Sequence, residues 1–115
     1  MFNYREFPAE KLQYVAVASV GELQAGERIL FEFEGLPLAL FRVGDEYYAI
    51  ADVCTHDDGP LAEGDVEGRQ IVCPRHGARF DLATGAALTL PAAVDIAAYP
   101  VRVVDARIEV GIPRP

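Results

Sequence analysis

The chain has 115 residues, 51% of them hydrophobic and 24% charged. That length and balance fit one globular domain with a core of its own and exclude a disordered chain. Eighteen acidic against ten basic side chains give a formal net charge of −8, which argues against nucleic acid and anionic membranes and favours a partner with a basic docking patch.

The segment MFNYREFPAEKLQ lacks a basic stretch followed by an apolar run, and this predicts a cytoplasmic protein without a signal peptide. Residues 1–12 are expected to form an arm ahead of the first strand. From there on no helix-period segment of useful length occurs. Short runs rich in Val, Ile, Phe and Tyr predict strands at Tyr14–Ala18, Arg28–Phe33, Pro37–Val43, Tyr47–Ala51, Gln70–Cys73, Arg79–Leu82, Val101–Asp105 and Arg107–Val110. The longest clean apolar run, Leu36–Phe41, is far too short to span a membrane.

Turn chemistry separates these runs. Glu34-Gly35 and Gly44-Asp45 read as hairpin turns, Asp105-Ala106 as the link between the last two strands, and Asp81 to Gly85 as a turn closed by a left-handed glycine. Many short strands with glycine-rich turns imply an all-β antiparallel sandwich or barrel. The Pro-Arg-Pro end is expected to fray.

The middle of the chain differs from its flanks. Between Val53 and Gly85 lie both Cys, both His and five of the ten Gly. This reads as a ligand-bearing subdomain of about residues 53–85 inserted into a framework of about 13–52 and 86–110. The four residues form two short clusters, Cys54-Thr55-His56 and Cys73-Pro74-Arg75-His76, with sixteen residues between His56 and Cys73. A lone Cys or His is ordinarily a packing or surface residue, but two matched Cys/His pairs are not explained that way. A Cys54–Cys73 disulfide leaves both His without a role and is disfavoured in a reducing compartment. Thiolate with imidazole suits zinc or iron–sulfur. A zinc finger puts two Cys in one pair and two His in the other. Here each pair holds one of each, and two such loops facing each other can supply the two Cys of one iron and the two His of the other in a [2Fe–2S] centre of mixed ligation.

CTHDDGPLAEG followed by CPRHGARFDLATG resembles the Rieske iron–sulfur family, specifically its soluble ferredoxins such as the ferredoxin components of aromatic-ring dioxygenase systems. Weaker similarity runs over residues 13–110. The resemblance implies a Rieske-type β-sandwich and one [2Fe–2S] cluster, with Cys54 and Cys73 on the inner iron and His56 and His76 on the outer iron near the surface. It implies an electron carrier, not an enzyme, passing single electrons from a flavin-containing reductase to a terminal oxygenase. A small subunit of a nitrite-reductase type enzyme and an accessory carrier in cluster assembly are alternatives, and a structural Cys₂His₂ zinc protein is the non-redox one. No His remains for a second iron site, and no glycine-rich dinucleotide fingerprint is present.

The departures from the family pattern carry expectations. High-potential members in quinol-oxidising complexes brace the two loops with a disulfide, at positions that match Gly59 and Arg75. They also direct Ser and Tyr hydroxyls at the cluster, at positions that match Ala78 and Phe80. Without those hydrogen bonds the potential is expected near the low end of the Rieske range, about −150 mV. Asp57 and Asp58 push the same way, while Arg75 and Arg79 push back.

Overall fold

A computed structural model describes residues 8–54, 59–92 and 94–114. Among the described residues, ten antiparallel strands form three sheets. The first sheet joins β1 (Leu12–Ser19), β10 (Arg107–Pro113) and β9 (Val101–Val104), in that order. The second runs β2 (Arg28–Phe33), β3 (Leu36–Val43), β4 (Glu46–Ala51) and β8 (Ala98–Tyr99). The third is small, with β5 (Val66–Glu67), β6 (Gln70–Val72) and β7 (Arg79–Asp81). No helix among the described residues is long and apolar enough to cross a membrane.

The hairpins follow the turn residues. Glu34 and Gly35 both take positive φ, 51° and 82°, the condition for a two-residue loop whose twist matches its strands. Asp105 and Ala106 do the same at 52° and 63°. Alanine is poorly suited to that region, and the Ala106 carbonyl, which accepts from the Val20 amide at 2.8 Å, helps hold it there. Gly85, at φ +77°, closes its turn through a 2.7 Å bond from its amide to the Asp81 carbonyl.

β3 explains the layering. Successive side chains of a strand point to opposite faces. Leu38 and Leu40 enter one core, with Leu23, Ile108, Val110 and Ile112, between the first and second sheets. Ala39 and Phe41 enter another, with Ile50, Leu61, Ile71, Phe80 and both cysteines. A strand covered on both faces has no polar side, which is why Leu36–Phe41 reads as an unbroken apolar run. Burying Phe41 or Phe80 contributes roughly 1.5–3 kcal/mol each.

Three expectations need correction. Leu12 is not part of a leading arm: it is buried and begins β1, paired with Pro113. Residues 1–7 of that arm lie outside the described residues. The tail does not fray through Arg114, whose amide bonds the Lys11 carbonyl at 2.8 Å and whose Nε bonds the Leu12 carbonyl at 3.1 Å. Two strands, β5 and β8, were not expected. Each has only two residues, too few to show a period.

Candidate metal centre

Two loops project from this framework, both rooted in the core that contains Phe41 and Phe80. The first leaves β4 at Asp52, whose amide is fixed to the Pro37 carbonyl at 3.0 Å. One oxygen of the Asp52 carboxylate accepts from the amides of Leu61, at 2.8 Å, and Ala62, at 2.6 Å. The start of the loop is thereby tied to its end by charge-assisted bonds. From β2, Arg28 donates to the carbonyls of Ala62 at 2.6 Å and Gly64 at 2.5 Å, with its guanidinium 5.1 Å from the Phe41 ring centre.

The second loop joins β6 to β7. Its Gly77 amide reaches the Cys73 carbonyl at 3.0 Å, with Gly77 at φ +72°. A residue with a β-carbon is disfavoured in that conformation. His76 lies on this turn and is exposed, as are Pro74 and Arg75.

The two loops close in the same way. The Cys54 amide donates to the carbonyl five residues on, Gly59, at 2.8 Å, and the Cys73 amide to the carbonyl five residues on, Ala78, at 2.7 Å. Each cysteine therefore sits at the neck of its loop. Both are buried in the same core, and neither forms a disulfide. The loops are also in direct contact. A β-carbon on Gly64 would stand 1.9 Å from the Val72 carbonyl oxygen, and one on Gly59 would stand 2.7 Å from Cζ and Nη2 of Arg75. Arg75 donates from Nη1 to the Pro60 carbonyl. A third segment lies beside the second loop: the Leu88 amide bonds the Arg79 carbonyl at 2.8 Å, and the Arg79 amide donates to Thr89 Oγ1 at 3.0 Å.

Of the four expected ligands, Cys54 and Cys73 lie buried at matching necks and His76 lies exposed on its turn. His56 lies outside the described residues, together with Asp57 and Asp58. Among the described residues, no three His, Cys, Asp or Glu group closely enough to hold a metal ion. The donor set suits a [2Fe–2S] centre, with sulfur inside and imidazole towards solvent. Ala78 and Phe80 are fully buried and apolar, in keeping with the absence of hydroxyl donors at those positions. Arg79 pairs with Glu67 at 2.9 Å, so its charge is largely matched within the small sheet. Arg28 and Asp52 were not singled out from the sequence. Their only signal is position: charged residues at the start of one strand and just past the end of another.

Comparison with known proteins agrees with this architecture. The model of the Rieske [2Fe-2S] domain matches residues 13–100. The chain belongs to the Rieske [2Fe–2S] domain family. It is similar to the ferredoxin component of the naphthalene 1,2-dioxygenase system of Pseudomonas putida, with 34% identity over 88% of this chain and 97% of the relative. Among solved structures, it is similar to a chain in the complex of reduced oxygenase and oxidized ferredoxin of carbazole 1,9a-dioxygenase, with a TM-score of 0.82 and 33% identity over 89% of this chain and 95% of that one. The ferredoxin of carbazole 1,9a-dioxygenase from Nocardioides aromaticivorans IC177 matches with a TM-score of 0.80 and 35% identity over 85% of this chain and 96% of that one. The chain is thus an electron carrier of the Rieske ferredoxin type with one [2Fe–2S] cluster, a component of a multi-protein oxidoreductase system.

Proposed function

We propose that this protein receives single electrons from a flavin-containing reductase and delivers them to a terminal oxygenase, with Cys54, Cys73, His56 and His76 as the ligands of its cluster. The observation that carries the ligand assignment is the matched closure of the two loops, each with a buried cysteine at its neck. The cluster, when bound, supplies one-electron chemistry at a potential near the low end of the Rieske range.

The chain's own residues supply position and insulation. Asp52 and Arg28 fix the far side of the first loop, and the Cys73–Gly77 turn fixes the second. Leu61, Ile71, Ala78 and Phe80 keep water from the cysteines, while His76 lies where a partner surface can approach. The relatives' role in dioxygenase systems supports an oxygenase as the acceptor. We take residues 53–85 as the cluster-binding subdomain, residues 13–52 and 86–110 as its framework, and the cytoplasm as the site of action.

The test is direct. Protein isolated under exclusion of oxygen should contain iron and acid-labile sulfide in equal amounts and give a Rieske-type paramagnetic resonance when reduced with dithionite. Cys54→Ser, His56→Ala, Cys73→Ser and His76→Ala should each abolish that resonance. Colourless protein containing zinc would overturn the assignment. Reduced protein that passes no electrons to any ring-hydroxylating oxygenase would overturn the choice of acceptor.

A further inference from the structure

We infer that Arg75 is a positioning residue that straps the two cluster loops together without a covalent bond, at the place where high-potential relatives use a disulfide. This rests on the cluster assignment proposed above. Gly59 and Arg75, the positions matching that second Cys pair, are in contact here. The guanidinium packs against Gly59 so closely that a β-carbon there would meet Cζ and Nη2 at 2.7 Å and Nε at 3.0 Å. Its Nη1 donates to the carbonyl of the next residue, Pro60.

Three features make this a strap and not a passing surface contact. The two ends lie on different loops, fifteen residues apart in sequence. Each end adjoins an anchoring group: Gly59 supplies the carbonyl that closes on the Cys54 amide, and Arg75 lies between Cys73 and His76. The planar guanidinium fills the space that the missing β-carbon of Gly59 leaves open. Any side chain at 59 would push the guanidinium away. The strap therefore depends on both positions, with the Pro60 carbonyl as its acceptor. Held in this way, the His76 turn cannot swing away from the first loop without breaking the bond to Pro60. An electron carrier benefits from such restraint, because ligands that stay in place on reduction make transfer fast.

The experiment uses the holoprotein and follows loss of the visible cluster absorbance in an excess of iron chelator, together with the resonance of the reduced protein. Arg75→Lys keeps the charge but loses the flat fork. Gly59→Ala keeps Arg75 but displaces it. Both should release iron about threefold to tenfold faster than wild type, the range expected for one hydrogen bond. Both should broaden the resonance as the His76 turn samples more orientations, which general surface damage would not do. The double variant should be no worse than the more affected single variant, because both remove one contact.

Wild-type release rates in Gly59→Ala overturn the strap. So does a wild-type rate in Arg75→Lys with faster loss in Arg75→Gln, which would assign the effect to charge alone. Additive losses in the double variant overturn it as well. Wild-type protein without iron and sulfide ends the cluster assignment and the strap with it, whereas failure of the strap alone shows only in the variants.

Discussion

Gly64 lies so close to Val72 that a β-carbon at position 64 would stand 1.9 Å from the Val72 carbonyl oxygen and 3.0 Å from its carbon. Val72 directly precedes Cys73, and its amide bonds the Asp65 carbonyl at 2.9 Å. The first loop thus ends against β6, the strand that leads into the second cysteine.

Gly64→Ala should accordingly force the two loops apart. The obstacle is backbone and cannot rotate away, so the cost is that of overpacking, about 1–3 kcal/mol. Urea unfolding of the holoprotein should show this loss, and a lower iron content per chain should accompany it. Unchanged stability and iron content would count against the close approach.

Asp52→Ala removes the acceptor shared by the Leu61 and Ala62 amides. Two donors next to buried side chains lose their partner, at a cost of about 1–3 kcal/mol. Asp52→Asn keeps an acceptor oxygen and should cost less. Thermal melts of the three proteins should fall in that order.

Removing the metal should loosen one core and spare the other. Both cysteines belong to the core with Phe41, Ile71 and Phe80, and the core with Leu38, Ile108 and Val110 contains neither. After chelation under reducing conditions, amides of residues 61–82 should lose hydrogen-exchange protection by tenfold or more, on the order of 1.4 kcal/mol. Amides of β1 and β10 should keep theirs. Uniform loss across all three sheets would contradict this division.

Alkaline pH should act through Tyr99. Burial pushes its phenol up from 10.0 to about 12. Over that interval the folded chain keeps a proton that the unfolded chain has released. The contribution to stability is therefore complete below pH 10 and is lost as the pH rises towards 12. Urea midpoints measured at about pH 9 and about pH 11 should fall, and Tyr99→Phe should flatten the slope. An equal slope in the variant would assign the effect to other groups.

Much of the fold could be read from the sequence because strand and turn signals agreed. Arg28–Phe33 is β2 to the residue, and Glu34-Gly35 turns the chain as its glycine predicts. The proposed ligands stood out for a different reason, since all Cys and His of the sequence fall in two short clusters. What escaped was what arises only between distant segments. β8 pairs with β4 across nearly fifty residues, and two residues carry no periodicity. The tie between Arg114 and Leu12 links the two ends of the described chain, which local composition cannot reveal. Arg28 and Asp52 are ordinary charges until the fold brings residues 61–64 to them.

The pairing of Leu12 with Pro113 puts both ends of the described chain on the outer sheet, with the second sheet and its two cores between them and the metal loops. A linker attached beyond β10 would start on the sheet farthest from the two cysteine-bearing loops. Tethered to an electrode through such a linker, the molecule would present its redox pole to the solution, and direct voltammetry would then be limited by distance through the sandwich.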